Sequence, residues 1–356
     1  MEWTLLMKAL ICHGPGEISC ESLPDPVLGD EFGAVIKTKL CSICGSDLHP
    51  YHVDLGRPAY SIGHEAVGEV VEVGRGVKNF AVGDRVLLTA TLSCGRCRQC
   101  LAGRVPLCES YPTFQALGQS IPGIGGAQAE GVAVPMADFN LIHLPEELSD
   151  EVGLMLTDTL GTAWMASRRA RIGRGDVVAV IGLGAVGLQV IICAMAMGAT
   201  RVLAIDLLAD RRRHAVELGA EAVEDPDVLR GVLDLTQGFG ADVVIDSNGG
   251  PITTQLAIDL ARRGGRVSNV GISEQFTVPF PIKTATSKCL EFHTGICSAQ
   301  MEVPNLMREL LKGSLDKNML AKFFTHQMGL SEGKDAYAFF DQRKDGVLKL
   351  SLDPSR

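Results

Sequence analysis

Between about residues 160 and 296 the sequence switches back and forth between apolar β-branched runs and helix-patterned segments. DVVAVIGLG (176–184) reads as a strand ending in glycines, and AVGLQVIICAMAMG (185–198) as a helix that is apolar nearly all round. RVLAID (201–206) is the next strand, followed by ADRRRHAVELG, an amphipathic helix closed by Gly219. ADVVIDSNG, PITTQLAIDLARRG and GRVSNVG repeat the scheme. Strands alternating with helices of this length imply a parallel, doubly wound sheet.

The first turn of this region carries Gly182-Leu183-Gly184-Ala185-Val186-Gly187, a G-x-G-x-x-G stretch between strand and helix. In that context the first glycine permits a tight turn and the second lets the backbone approach a pyrophosphate. The third allows close helix–sheet contact. The helix N-terminus offers unpaired N–H groups to phosphate oxygens. Asp206 closes the second strand, 19 residues after Gly187. A carboxylate there accepts hydrogen bonds from an adenosine ribose and repels a 2′-phosphate, so NAD is expected rather than NADP. Arg211, with Arg212 and Arg213, follows closely enough to hold a phosphate, or else forms the solvated face of the next helix.

The first 150 residues have a different texture. GAVIKTKL, EAVGEVVEVG and DRVLLTATL are short apolar runs separated by Gly, Pro and Asp turns, as in a β-rich, barrel-like unit. After about residue 296, VPNLMRELLKGSL reads as a helix and GVLKLSL as a last strand. A chain of 356 residues suits two domains. The expected division is a β-rich domain of residues 1–159 and 297–356, with a Rossmann-type domain of 160–296 inserted in it.

Eleven cysteines are too many to ignore and odd in number, and a chain this large does not need disulfides to hold its core. Cys94-x2-Cys97-x2-Cys100-x7-Cys108 puts four of them within 15 residues. Four thiolates satisfy a tetrahedral zinc and leave no open position, which is the donor set of a structural site. An iron–sulfur cluster also takes four cysteines and stays open at this point. A second constellation is more dispersed. Cys44-Gly-Ser46-Asp47-Leu-His49 is followed by Gly63-His64-Glu65-Ala-Val-Gly68. By spacing alone these are either metal ligands or ordinary residues: a buried thiol, a hydrogen-bonded histidine and a surface acid.

The two segments, the four-cysteine loop and the GLGAVG turn, in this order, resemble the zinc-dependent medium-chain alcohol dehydrogenases, from about Met7 to the KLSL strand. The resemblance implies a GroES-like catalytic domain carrying two zinc ions and an inserted Rossmann domain carrying NAD. Cys44 and His64 then correspond to catalytic zinc ligands, Glu65 to a residue that can approach the metal, and Asp158 in LTDTLGTAW to the third ligand. Zinc activates the substrate hydroxyl so that hydride passes to the nicotinamide. The proton leaves through Ser46 and His49, with Asp47 orienting a zinc-bound imidazole, His64. Thr162 is expected at the nicotinamide, the backbone at Val270 and Ile296 at its carboxamide, and Lys349 near the pyrophosphate. Phe114, Trp164 and residues 294–297 are expected to line the substrate pocket. His13, His52 and His143 match no motif position.

The charge balance, 33 basic against 42 acidic residues, argues against nucleic acid as the main partner. MEWTLLMKAL lacks the parts of a secretion signal, which leads to the expectation of a cytoplasmic protein. The short stretch from Cys108 to Gly131 resembles the bacterial tetramers of the family. The expected activity is reversible oxidation of an alcohol by NAD. A polyol or threonine-type dehydrogenase, a zinc-free reductase of the same fold, and a non-catalytic zinc or dinucleotide sensor are the alternatives.

Overall fold

The computed structural model describes residues 6–111, 125–273, 275 and 277–356. Phe114 lies outside the described residues. The chain divides into two compact units: Met1–Gly161 with Ser298–Leu311 and Asp316–Arg356, and Thr162–Cys297 with Lys312–Leu315.

The first unit is built on two antiparallel-rich sheets. Leu6–Gly14 pairs with Glu17–Pro24 across the Gly14–Gly16 turn, and with Tyr60–Ser61 on its other side. The larger sheet has seven strands. Its path runs Phe324–Gly329, Lys349–Asp353, Ala34–Ile43, Ala66–Val73, Arg85–Leu88, Leu141–His143, with Gly131–Val134 added alongside Ala34–Ile43. Alternating apolar residues of these strands, among them Ile36, Ile43, Val70, Val86, Leu88 and Leu350, close a core with Leu10, Ile62 and Tyr337. This is the half-buried strand pattern that one-sided burial produces.

Three features of that sheet bring distant polar residues to one corner. Cys41 lies opposite Ala66, so the C-terminal end of Ala34–Ile43 meets the start of Ala66–Val73. Residues just past one strand, including Cys44, therefore face residues just before the other, His64 and Glu65. Leu350 lies opposite Ile43 and brings the last strand to the same corner. The helix Asp150–Thr157 packs on this part of the sheet. Its N-cap Ser149 accepts from the Val152 N–H, and Asp150 and Glu151 in the first turn suit the positive end of the helix dipole. The helix ends at Asp158, whose non-helical backbone (φ −145°, ψ −72°) separates it from the next helix, Thr159–Arg169.

The second unit is a six-stranded, all-parallel sheet. Its strands, from one edge to the other, are Glu221–Ala222, Arg201–Ile205, Val177–Ile181, Ala241–Asp246, Ala261–Asn269 and Glu291–Thr294. In order of sequence this is 3-2-1-4-5-6, the doubly wound arrangement whose ligand crevice lies where the order reverses. Continuous burial of Val178, Ala179, Val180 and Ile181 explains why the central strand reads as an unbroken apolar run. Among the described residues, no helix is long and apolar enough to cross a membrane.

Candidate metal and dinucleotide sites

The sheet corner of the first unit gathers one sulfur, one imidazole and two carboxylates. Ligating atoms of Cys44, His64, Glu65 and Asp158 all lie within 4.8 Å of one another. Asp158 Oδ2 is 3.3 Å from Cys44 Sγ and 3.3 Å from His64 Nε2. The opposite ring nitrogen, Nδ1 of His64, lies 3.1 Å from Oδ1 of Asp47, with both side chains buried. Ser46 Oγ is 3.4 Å from His64 Nε2, on the side of the cluster. His49 follows on the short helix Leu48–His52 and is half-buried.

Electrostatics at this corner reflect burial and the crowding of charged groups. Burial, with the neighbouring Asp158 and Glu65 carboxylates, pushes the Cys44 thiol up to about 11. Burial alone would lower the His64 pKa, but Asp47 and Asp158 outweigh it and hold the imidazole well above its usual range. A divalent cation offsets the same gathering of negative charge, and a coordinated thiol is deprotonated outright. One thiolate, one imidazole and one carboxylate are the protein donors of a catalytic zinc site.

Glu65 is turned partly away from the cluster. One of its oxygens accepts from Ser42 Oγ and pairs with Lys349 Nζ, which also donates to the Ile43 carbonyl at 3.3 Å. Its other oxygen, Oε1, has no hydrogen-bond partner among the described residues. This corrects the expectation for Lys349. Its ammonium is buried at the sheet corner as the counter-ion of Glu65, because the last strand pairs with Ala34–Ile43, and so it is not available to a pyrophosphate.

The four-cysteine loop converges as well. The sulfurs of Cys94, Cys97, Cys100 and Cys108 lie within 4.8 Å of one another, and none of the four forms a disulfide. Cys97 Sγ is 3.5 Å from that of Cys100 and 4.0 Å from that of Cys108. Sulfurs around one tetrahedral ion with bonds of about 2.3 Å sit roughly 3.8 Å apart. The loop thus fits a single ion and leaves no space for a multi-iron core. Backbone N–H groups of Cys100 and Glu109 point at Cys97 and lower its pKa. Burial raises Cys94, but the Ser110 hydroxyl and the backbone N–H groups of Arg96 and Cys97 overcome it and bring the thiol down to about 6. N–H donors aimed at sulfur favour thiolates at Cys94 and Cys97, whereas burial and the neighbouring Cys97 push the Cys100 thiol up to about 12.

In the second unit Gly182 has φ +83°, and a Cβ on Gly187 would lie 1.8 Å from the Gly182 carbonyl. The turn and the helix start can coexist only with glycine at both positions. Leu183 donates its N–H to Asp206 Oδ2 at 2.7 Å, and Leu208 donates to Oδ1 at 2.8 Å. Asp206 thereby ties the glycine turn to the end of the second strand. Gly184 caps the helix that contains Ala185, Val186 and Gly187. Arg211 reaches the Leu183 carbonyl at 3.3 Å, whereas Arg212 pairs with Glu224 and Arg213 with Asp210. Val270 lies just past the strand Ala261–Asn269 and donates its N–H to Asp246 O. Arg169 links this segment to the next: its guanidinium donates to Ser268 Oγ, Asn269 O and Gly295 O, adjacent to Val270 and Ile296. Thr162 and Trp164 lie on the helix Thr159–Arg169.

Three histidines have other partners. His13 contacts Ser19 and Glu21, His52 pairs with Asp341, and His143 bonds the Asn79 carbonyl and stacks on Phe80. Two buried residues at the first site, Gln128 and Tyr337, had no signal in the motif spacing, because neither type marks a metal or proton-transfer position in sequence.

Comparison with known proteins agrees with this architecture. Residues 30–146 match the alcohol dehydrogenase GroES-like domain, and residues 185–312 match the zinc-binding dehydrogenase domain. A protein of Mycobacterium tuberculosis named as a probable zinc-binding alcohol dehydrogenase is 36% identical over 98% of this chain and 89% of its own length. A sorbitol dehydrogenase of Bacillus subtilis is 31% identical, covering 98% of both chains. The solved structure of alcohol dehydrogenase TADH from a Thermus species superposes with a TM-score of 0.90 at 34% identity, covering 98% of this chain and 99% of that one. The chain belongs to the zinc-dependent alcohol dehydrogenases of the medium-chain dehydrogenase/reductase superfamily.

Proposed function

We propose that the protein is an NAD-dependent alcohol dehydrogenase with one catalytic and one structural zinc ion per chain. The observation that carries the reading is the convergence of Cys44, His64 and Asp158 in a buried corner, with ligating atoms within 4.8 Å. When bound, zinc supplies Lewis acidity to the oxygen of an alcohol or carbonyl, and the dinucleotide supplies the ring that accepts or returns hydride.

The chain's own residues do the rest. Cys44, His64 and Asp158 would hold the metal, and Asp47, with Oδ1 3.1 Å from Nδ1, faces the other side of the His64 ring. Ser46, 3.4 Å from His64 Nε2, receives the substrate's proton on one lone pair and releases its own on the other side. His49, three residues further on, passes it toward solvent, since imidazoles ordinarily titrate near neutrality. Lys349 lies against Glu65 as its buried charge partner beside the ligand set. Gly182, Gly184 and Gly187 give the pyrophosphate its approach, and Asp206 selects the unphosphorylated ribose. The backbone at Val270 and Ile296, braced by Arg169, holds the carboxamide, with Thr162 at the nicotinamide.

The four-cysteine loop would hold the second zinc, as a structural ion. The oligomer is a homotetramer, a reading that rests on the short Cys108–Gly131 stretch. The compartment is the cytoplasm, supported by the six cysteines outside the two metal sites, which remain free thiols. A polyol substrate is the second reading of substrate class, favoured by the sorbitol dehydrogenase relative. Turnover of primary, secondary, cyclic and polyol alcohols with NAD and NADP in parallel tests both. A chelator-sensitive rise in reduced cofactor supports the reading, and its absence across the panel removes it.

A further inference from the structure

Behind the His64–Asp47 contact lies a chain of buried polar groups that ends far away in sequence. Gln128 Nε2 donates to Asp47 Oδ2 at 3.2 Å and to the Ser42 carbonyl at 3.0 Å. Its Oε1 accepts from the Tyr337 hydroxyl at 2.9 Å. The opposite amide orientation would set an oxygen against a carboxylate and a carbonyl at once, so the neighbours decide which way the amide points. Tyr337 must then be the donor, and both amide protons and the amide oxygen are used. Gln128 and Tyr337 are both fully buried, where an unmatched polar group is costly.

The same carboxylate oxygen of Asp47 accepts the Cys44 N–H at 2.9 Å. Two donors thus fix Oδ2 and set Oδ1 3.1 Å from His64 Nδ1, an ion-pair contact rather than an aligned hydrogen bond. Gln128 also grips the backbone leading into His64: its N–H donates to Ile62 O at 3.1 Å, and Ala127 donates to Gly63 O at 2.8 Å. The approach is so close that a Cβ on Gly63, where φ is +99°, would lie 2.4 Å from Gln128 Cγ. Glycine before His64 is what allows Gln128 to reach Asp47.

We propose that Gln128 and Tyr337 are positioning residues for the catalytic metal centre, holding Asp47, and through it the His64 ring, in the ligating orientation. The inference rests on His64 being a metal ligand. Partners beyond the immediate ligands commonly change metal affinity by roughly 10- to 100-fold, and the effect should weaken with each further bond.

The test uses Tyr337→Phe and Gln128→Leu in the full chain, with zinc affinity measured by competition against a chromophoric chelator and cobalt(II) spectra recorded at the catalytic site. Gln128→Leu should weaken catalytic-site zinc about 10- to 100-fold and Tyr337→Phe roughly 3- to 10-fold. Zinc in the four-cysteine loop should be retained as in the unchanged protein, and the visible cobalt bands of the catalytic site should shift. Unchanged affinity and spectra overturn the proposal, as does equal weakening at both metal sites, which marks a general loosening of the fold. If Gln128→Leu fails to fold, Tyr337→Phe decides alone, since it removes one oxygen. An unchanged protein that binds a single zinc equivalent overturns the ligand reading itself. Two equivalents with indifferent variants overturn only the positioning role.

Discussion

Lys349 and Glu65 form an ion pair in which the lysine side chain is 1% exposed and the glutamate 0%. Burial favours the neutral amine, yet the Glu65 charge outweighs it and raises the Lys349 pKa. Lys349→Met should therefore destabilise the protein by about 3–5 kcal/mol, because it leaves a carboxylate buried without its counter-ion. The double variant Glu65→Gln with Lys349→Met should recover part of that loss. Urea unfolding of the two single variants and the double variant checks this. Additive losses would show that the two side chains do not act as a pair.

Replacing one cysteine of the loop separates the two metal sites. Cys97→Ser should lower the zinc content from about two to about one per chain and reduce thermal stability, since structural zinc contributes directly to folding. Cys44→Ala should also remove about one zinc and abolish turnover, with a smaller effect on stability. Metal analysis with thermal melts distinguishes the cases; a Cys97→Ser protein that keeps full zinc content would contradict the assignment.

Asp206 accepts the N–H groups of Leu183 and Leu208, and in the proposed function its charge also meets the adenosine ribose. Asp206→Ala should raise the KM for NAD at least about tenfold while improving use of NADP, so that the ratio of kcat/KM values falls by roughly one to two orders of magnitude. Parallel kinetics with both cofactors measure it. An unchanged ratio would remove the role of Asp206 in discrimination.

How much of this was legible in sequence depends on distance along the chain. The parallel strands of the second unit stand out because a strand buried on both faces is an unbroken apolar run, as in Val177–Ile181. The four-cysteine loop is equally local. Cys44 and His64 are readable as ligands only through the resemblance, since their spacing alone also fits ordinary residues, although the strands that bring them together are close in the sequence. Lys349 is not: it meets Glu65 across 284 residues, and only the pairing of the last strand with Ala34–Ile43 puts it there. Gln128 and Tyr337, 209 residues apart, are invisible for the same reason. Their meeting depends on packing of the helix Gly333–Asp341, and no motif spacing encodes that.

The most direct test of the account is cofactor reduction by the purified, zinc-loaded protein across a panel of alcohols, with and without a chelator. At least one alcohol should reduce NAD, chelation should abolish the reaction, and added zinc should restore it. Turnover that survives removal of the Cys44–His64–Asp158 metal, or no turnover of any alcohol by protein containing two zinc ions, would contradict it.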